Sequence, residues 1–250
     1  AARLFTKNGL LAMRDLRLHS GGAEGVELTL TGNVGDLSGA INGRVGDINQ
    51  IDLAAAISSA KSTTLTDLVD TDTQKIPEVG PVAASAQILG KVAALQVKAL
   101  EVNAGNLQGI WLSVSEGLVS ASLLPQLRLL ELKLPLAASL SSTSELSGII
   151  DDVVADLGAV EAQAVLQQDA SGLRLNELAI RLHRDSRTML AAQGSIAQLD
   201  TLQGINVEGS ITGLETNRLI ESLLDKDFPK FQAGSLYGQF SLAYNAGSLR

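Results

Sequence analysis

The chain has 250 residues, 45% of them hydrophobic, no cysteine and a formal net charge of −8. Lacking cysteine, it has neither disulfides nor thiolate metal ligands. Lacking a Lys/Arg cluster, it has no electrostatic footprint for nucleic acid or for an anionic membrane surface.

Aromatic residues are scarce, at one Trp, two Tyr and four Phe, so the apolar content is Leu, Ala, Val and Ile. Taken in chain order, that content falls on alternate positions, the period of a half-buried strand. Val26, Leu28 and Leu30 alternate with Glu27 and Thr29, and Ile51, Leu53, Ala55 and Ile57 follow. A segment near 64–70 breaks the alternation and predicts a short amphipathic helix. Leu95 and Val97 then alternate with Gln96 and Lys98, and Ile110, Leu112 and Val114 with Trp111 and Ser113. Leu130, Leu132, Leu134 and Leu136 alternate with Glu131, Lys133 and Pro135. A second helix is predicted near 144–156, with Ser142-Thr143-Ser144-Glu145 as a capping box and Asp151, Asp152 and Asp156 on its wet side. Leu173 and Leu175, then Leu178, Ile180 and Leu182, then Ile205, Val207 and Ile211 continue the strand pattern. A third helix is predicted near 216–227. Turn signals such as Asn8-Gly9, Ser20-Gly21-Gly22 and Asn42-Gly43 separate the strands, and short connections of this kind favour antiparallel hairpins.

The pattern repeats. Gly80, Gly158 and Gly234 each open an alternating strand and stand 78 and 76 residues apart. Gly32-Asn33-Val34-Gly35-Asp36-Leu37 matches Gly194-Ser195-Ile196-Ala197-Gln198-Leu199, and Arg17-Leu18-His19 matches Arg181-Leu182-His183. A recurrence near eighty residues means one building block copied about three times. The expected organisation is one elongated repeat domain, with units at 1–79, 80–157 and 158–233 and a partial unit at 234–250. The repeat is in mid-phase at both ends, so the chain is expected to be a piece of a longer protein. The greasiest stretch, 118–140, is broken by Pro125, Arg128, Glu131, Lys133 and Pro135, and no run is long enough to span a bilayer as a helix.

Catalytic motifs are weak. Two histidines in equivalent repeat positions do not make a metal pair, and no metal site is expected. Gly32–Asp36 and Gly43–Asp47 lack the Gly-Lys-Ser/Thr of a phosphate loop and fit strand bends better. Gly-x-Ser-x-Gly is absent, and the aspartates near 151–156 read as a solvated helix face. No enzymatic activity and no cofactor are expected. A sugar-active β-solenoid enzyme would need stacked aromatics that this chain lacks.

The run Gly194-Ser195-Ile196-Ala197-Gln198-Leu199, the strand Gly204-Ile205-Asn206-Val207, the Leu-rich 219–224 segment, Pro229 and Gly234-Ser235-Leu236 together resemble the AsmA-like proteins of Gram-negative bacteria. Ile76-Pro77-Glu78-Val79-Gly80-Pro81-Val82 repeats the last element. The resemblance implies a periplasmic protein tethered to the inner membrane outside this chain. It further implies a role in outer-membrane biogenesis, with phospholipid carried along a long β-sheet groove, as in bridge-like lipid transfer proteins, and protein partners at the inner and outer membranes. The expected fold is mainly β, a long, strongly curved antiparallel sheet of repeated units forming an open apolar groove. Leu95, Val97, Leu112, Val114, Leu132, Leu134, Ile180, Ile205 and Val207 are the expected lining. The alternative is a structural or adhesive β-repeat module with a closed, dry core.

Overall fold

The computed structural model describes residues 3–7, 10–21, 25–35, 37, 48, 50–64, 78–123, 128–148, 156–169, 172–215, 234–245 and 248–249. These form one open sheet of fourteen strands whose order follows the sequence. The strands are β1 (Arg3–Lys7), β2 (Leu10–Gly21), β3 (Val26–Gly35), β4 (Gln50–Ser59), β5 (Val82–Lys91), β6 (Ala94–Gly105) and β7 (Ile110–Ser122). They continue as β8 (Arg128–Leu140), β9 (Ala159–Asp169), β10 (Gly172–Arg184), β11 (Arg187–Gln198), β12 (Gln203–Glu215), β13 (Ser235–Asn245) and β14 (Ser248–Leu249). The expected mainly β, antiparallel architecture is therefore present. By contact density the chain divides into two compact units, residues 1–104 with 113–135 and residues 105–112 with 136–250.

In the first unit the strand registers sort side chains onto two faces. β4 aligns Leu53 with Gly32 of β3 and Ile88 of β5, and Ile57 with Leu28 and Ala84. The same face carries Leu16 and Leu18 of β2 and Leu95, Val97 and Val102 of β6. The opposite face carries Glu27, Thr29, Asp52, Gln87, Lys98 and Glu101. In the second unit Ile180, Ala192 and Gly209 align on an apolar face, as do Gly194, Val207 and Leu242. Arg181, Gln193, Glu208 and Gln239 face the other way. Period-two sequence becomes a two-faced sheet because successive Cβ atoms point to opposite sides of a strand.

Among the interruptions of the described sheet, three recur at equivalent places in the repeat and keep the faces in phase. β2, β6 and β10 each carry a bulge, with Asp15, Ala99 and Glu177 at positive φ of 51°, 47° and 52°. In β6 the bulge absorbs one extra residue and so keeps Leu100 and Val102 on the face of Leu95 and Val97. With the same residues regularly pleated, Leu100 would turn to the polar face and Glu101 to the apolar one.

Of the predicted helices, residues 62–64 are helical and the rest of 64–70 lies outside the described residues. A 3-10 helix spans Thr143–Gly148, while 149–155 and all of 216–227 lie outside them. Asp156 is not helical, which corrects the expected end of the second helix.

Candidate functional site

Two classes of feature compete for functional assignment, the apolar face and the depressions on the polar one. On the apolar face of the first unit, Leu95 and Val97 sit opposite Gly90 and Ile88. A side chain built on Gly117 would meet Leu134, Leu100 and Val114, so these three converge at one point of the same unit. Leu132 is half-buried two positions before Leu134 on β8. In the second unit Ile180, Ile205 and Val207 share one face through the β10–β11–β12 register. Leu112 belongs to the second unit, is 43% exposed and breaks the expected alternation, since Trp111 and Ser113 beside it are the half-buried residues.

This face is aliphatic and only partly covered. Among the described residues, the buried apolar residues are Val92, Leu182 and Leu214, and no large side chain is fully buried. An ordinary domain core buries many such residues. A single sheet with one apolar side must lay that side against something.

Depressions also open on the described surface. In the second unit a shallow depression of about 660 Å³ crosses β10 to β13, bordered mainly by polar-face residues, among them Arg181, Gln193, Glu208 and Gln239, and also by Ile180, Ala192, Gly209 and Phe240 of the apolar rows. Gln193 Nε2 donates to Glu208 Oε1 at 2.8 Å. In the first unit a smaller one, about 340 Å³, is bordered by Glu27, Thr29, Ala56, Ser85 and Glu101. The transverse rows Thr29–Ala56–Ser85 and Ala191–Ser210–Gln239 occupy equivalent places in the repeat. Small side chains between longer ones account for both depressions. Sequence reasoning left this face to solvent and did not foresee them.

The two histidines also take equivalent places, each opposite a threonine: His19 with Thr29 and His183 with Thr188. His183 Nδ1 lies 3.3 Å from Thr188 Oγ1, and its Nε2 lies 3.5 Å from Glu161 Oε2. Among the described residues no three His, Cys, Asp or Glu side chains cluster as metal ligands would. No described helix is long and apolar enough to cross a membrane.

A second repeated device closes the connections that leave the sheet. After β4, Glu78 accepts hydrogen bonds from Thr63 Oγ1 (2.6 Å), the Ser62 and Thr63 amides (3.3 Å each) and the Gly80 amide (2.8 Å). Ser62 Oγ accepts from the Val79 amide at 2.9 Å. The Thr63 hydroxyl is the largest influence and lowers the Glu78 pKa from 4.5 to about 2; desolvation comes next and opposes it, and the Gly80, Thr63 and Ser62 amides add to the lowering. After β8, Asp156 accepts from Ser142 Oγ (2.8 Å) and the Gly158 amide (3.0 Å), and Thr143 Oγ1 accepts from the Leu157 amide (2.7 Å). The expected capping box does not form in its usual sense: Ser142 Oγ accepts from the Ser144 amide and donates to Asp156. Glu78-Val79-Gly80 and Asp156-Leu157-Gly158 recur at the glycine spacing of 78 residues, a signal the sequence contained. Gly80 and Gly158 have φ of 106° and 124°, which explains the glycine at each re-entry point.

No family profile, no curated protein and no solved structure matches this chain.

Proposed function

We propose that this chain is a non-enzymatic, lipid-conducting segment of a longer cell-envelope protein. Its aliphatic face lodges acyl chains in an open groove, with headgroups remaining in water. The carrying observation is the extent of that face. Strand after strand in each unit sets Leu, Ile, Val and Ala side by side, while very few of these residues are buried among the described residues. Each methylene of an acyl chain moved from water onto such a surface gains about 0.8 kcal/mol without demanding a fixed shape. The resemblance to AsmA-like proteins adds phospholipid as the cargo and the periplasm as the location. It also adds a tether to the inner membrane outside this chain and protein partners at both membranes.

The test uses the chain as purified. A photo-crosslinking amino acid at Val97 or Ile205 is expected to capture phospholipid, identified by mass spectrometry after extraction. The same group at Gln87 or Asn206, on the polar face, is expected to capture little. Equal labelling at all four positions, or no lipid at any, sinks the proposal and leaves a structural or adhesive β module.

A further inference from the structure

On the apolar face the strand registers lay side chains in rows that run across the strands. Neighbouring rows on one face stand about 7 Å apart, two residues along each strand. A row of small residues between two rows of large ones therefore leaves a trough. In the second unit such a row is Ile180–Ala192–Gly209–Phe240, between Leu182–Leu190–Ile211 and Gly194–Val207–Leu242. In the first unit the equivalent row is Leu18–Leu30–Ala55–Ala86, between Leu28–Ile57–Ala84 and Gly32–Leu53–Ile88. Gly32 and Gly194, matched in the repeat, fix the correspondence. The two troughs differ most where they reach β5 and β13: Phe240 stands where the first unit has Ala86. Six residues after the re-entry glycines Gly80, Gly158 and Gly234 come Ala86, Ala164 and Phe240, so the aromatic belongs to one copy of three. Its ring lies on its own row. A Cβ built on Gly209 would stand 2.6 Å from Phe240 Cζ and 2.8 Å from its Cε1. Phe240 is half-buried, while Gln239 and Ser241 beside it are exposed.

We infer that Phe240 is a built-in stop in the lipid groove. Its ring takes the space over Gly209 and excludes an acyl chain there, whereas the equivalent row of the first unit holds no aromatic and receives a chain over Ala55 and Ala86. The inference rests on the lipid-conducting reading and specifies where on the apolar face a chain lies. The ring and the chain compete for one place, because both need contact with the same carbon atoms of the trough floor and walls. Glycine at 209 is what lets the ring lie flat, since a Cβ there would collide with it. The same contact stabilises the strand pair, as aromatic cover of a glycine on the facing strand does. Obstruction and stabilisation come apart by experiment, because only obstruction is transferred when a ring is placed at the equivalent position of the other unit.

Ile57 and Ile211 occupy equivalent places beside Ala55 and Gly209, and both are half-buried. A photo-crosslinking amino acid is placed at each in turn, and the chain is incubated with phosphatidylethanolamine vesicles before irradiation. With the native ring, capture at 57 is expected to exceed capture at 211 several-fold. Phe240→Ala is expected to raise capture at 211 to the level of 57, with capture at Val97 unchanged. Ala86→Phe is expected to lower capture at 57 several-fold, with capture at Ile205 unchanged. This second variant adds a ring without uncovering a glycine, so it decides the matter even where Phe240→Ala fails to fold. Equal capture at 57 and 211 in the native background overturns the inference. So does an Ala86→Phe chain that captures at 57 as before, or a folded Phe240→Ala chain that stays low at 211, while Val97 and Ile205 still capture lipid. Absence of capture at Val97 and Ile205 as well overturns the lipid-conducting reading and this inference with it.

Discussion

At Glu78 one carboxylate gathers a hydroxyl and three amides from both ends of a connection that leaves the sheet. Its depressed pKa fixes the sign of its effect. A carboxylate that ionises more readily in the folded state stabilises that state above about pH 4.5 and loses the contribution as pH falls toward 2. Thermal melts across this range are therefore expected to separate wild type from Glu78→Gln near neutral pH and to converge near pH 2. A constant gap would show that the charge is not what holds the clasp. Gly158 makes a second residue-scale case. Its φ is 124°, and a Cβ there would press on the backbone carbonyl of His183. Gly158→Ala is expected to cost about 1–3 kcal/mol in urea unfolding. Gly109→Ala meets only ordinary contacts and is expected to stay within about 0.5 kcal/mol.

The strand is the scale at which the sequence was most legible, because a period of two survives without any tertiary information. Leu95 and Val97, or Ile205 and Val207, share a face for that reason alone. The bulges were hidden in the same pattern. Met13 to Leu16, Val97 to Leu100 and Leu175 to Leu178 are steps of three between residues on one face, where two is the rule. Each marks an inserted residue in β2, β6 and β10, the hairpin partner of a repeat-opening strand. The clasps were less legible because the bonds that tie their two ends together join residues 14 to 17 apart, beyond any local capping rule. Asp156 accordingly reads as a helix surface residue until its partners are known. The bulges carry a prediction of their own. Ala99 holds a left-handed conformation that costs a residue with a Cβ about 1–2 kcal/mol. Ala99→Gly is therefore expected to be neutral or stabilising by up to about 1 kcal/mol, net of the entropy glycine loses. Deleting Ala99 would let Leu100 follow Lys98 in a regular pleat, with Leu100 and Val102 still on the apolar face, and the cooperative urea transition is expected to survive. A deletion variant that loses that transition would show that the bulge does more than absorb one extra residue.

For the chain as a whole, backbone pairing and side-chain burial contribute very unequally. The strands satisfy one another's hydrogen bonds across fourteen positions of a sheet, while buried apolar residues among the described ones are few. Stability should therefore depend on what lies against the aliphatic face. A ligand that binds only the folded chain stabilises it by mass action, about 2.7 kcal/mol when present at a hundredfold its dissociation constant. For a chain of this length that corresponds to a rise of about 5–10 °C in Tm. Delipidated protein titrated with a short-chain phosphatidylethanolamine below its micelle concentration is expected to show such a rise. Val207→Asp places a charge among Gly194, Leu242 and their neighbours on the apolar face and is expected to abolish the rise, whatever it does to the baseline Tm. Asn206→Asp adds the same charge on the opposite face and is expected to leave the rise intact. The difference between these two variants isolates the face from general effects of acidity or lost stability. A flat titration for wild type, or equal responses from both variants, would mean that the apolar face does not bind lipid.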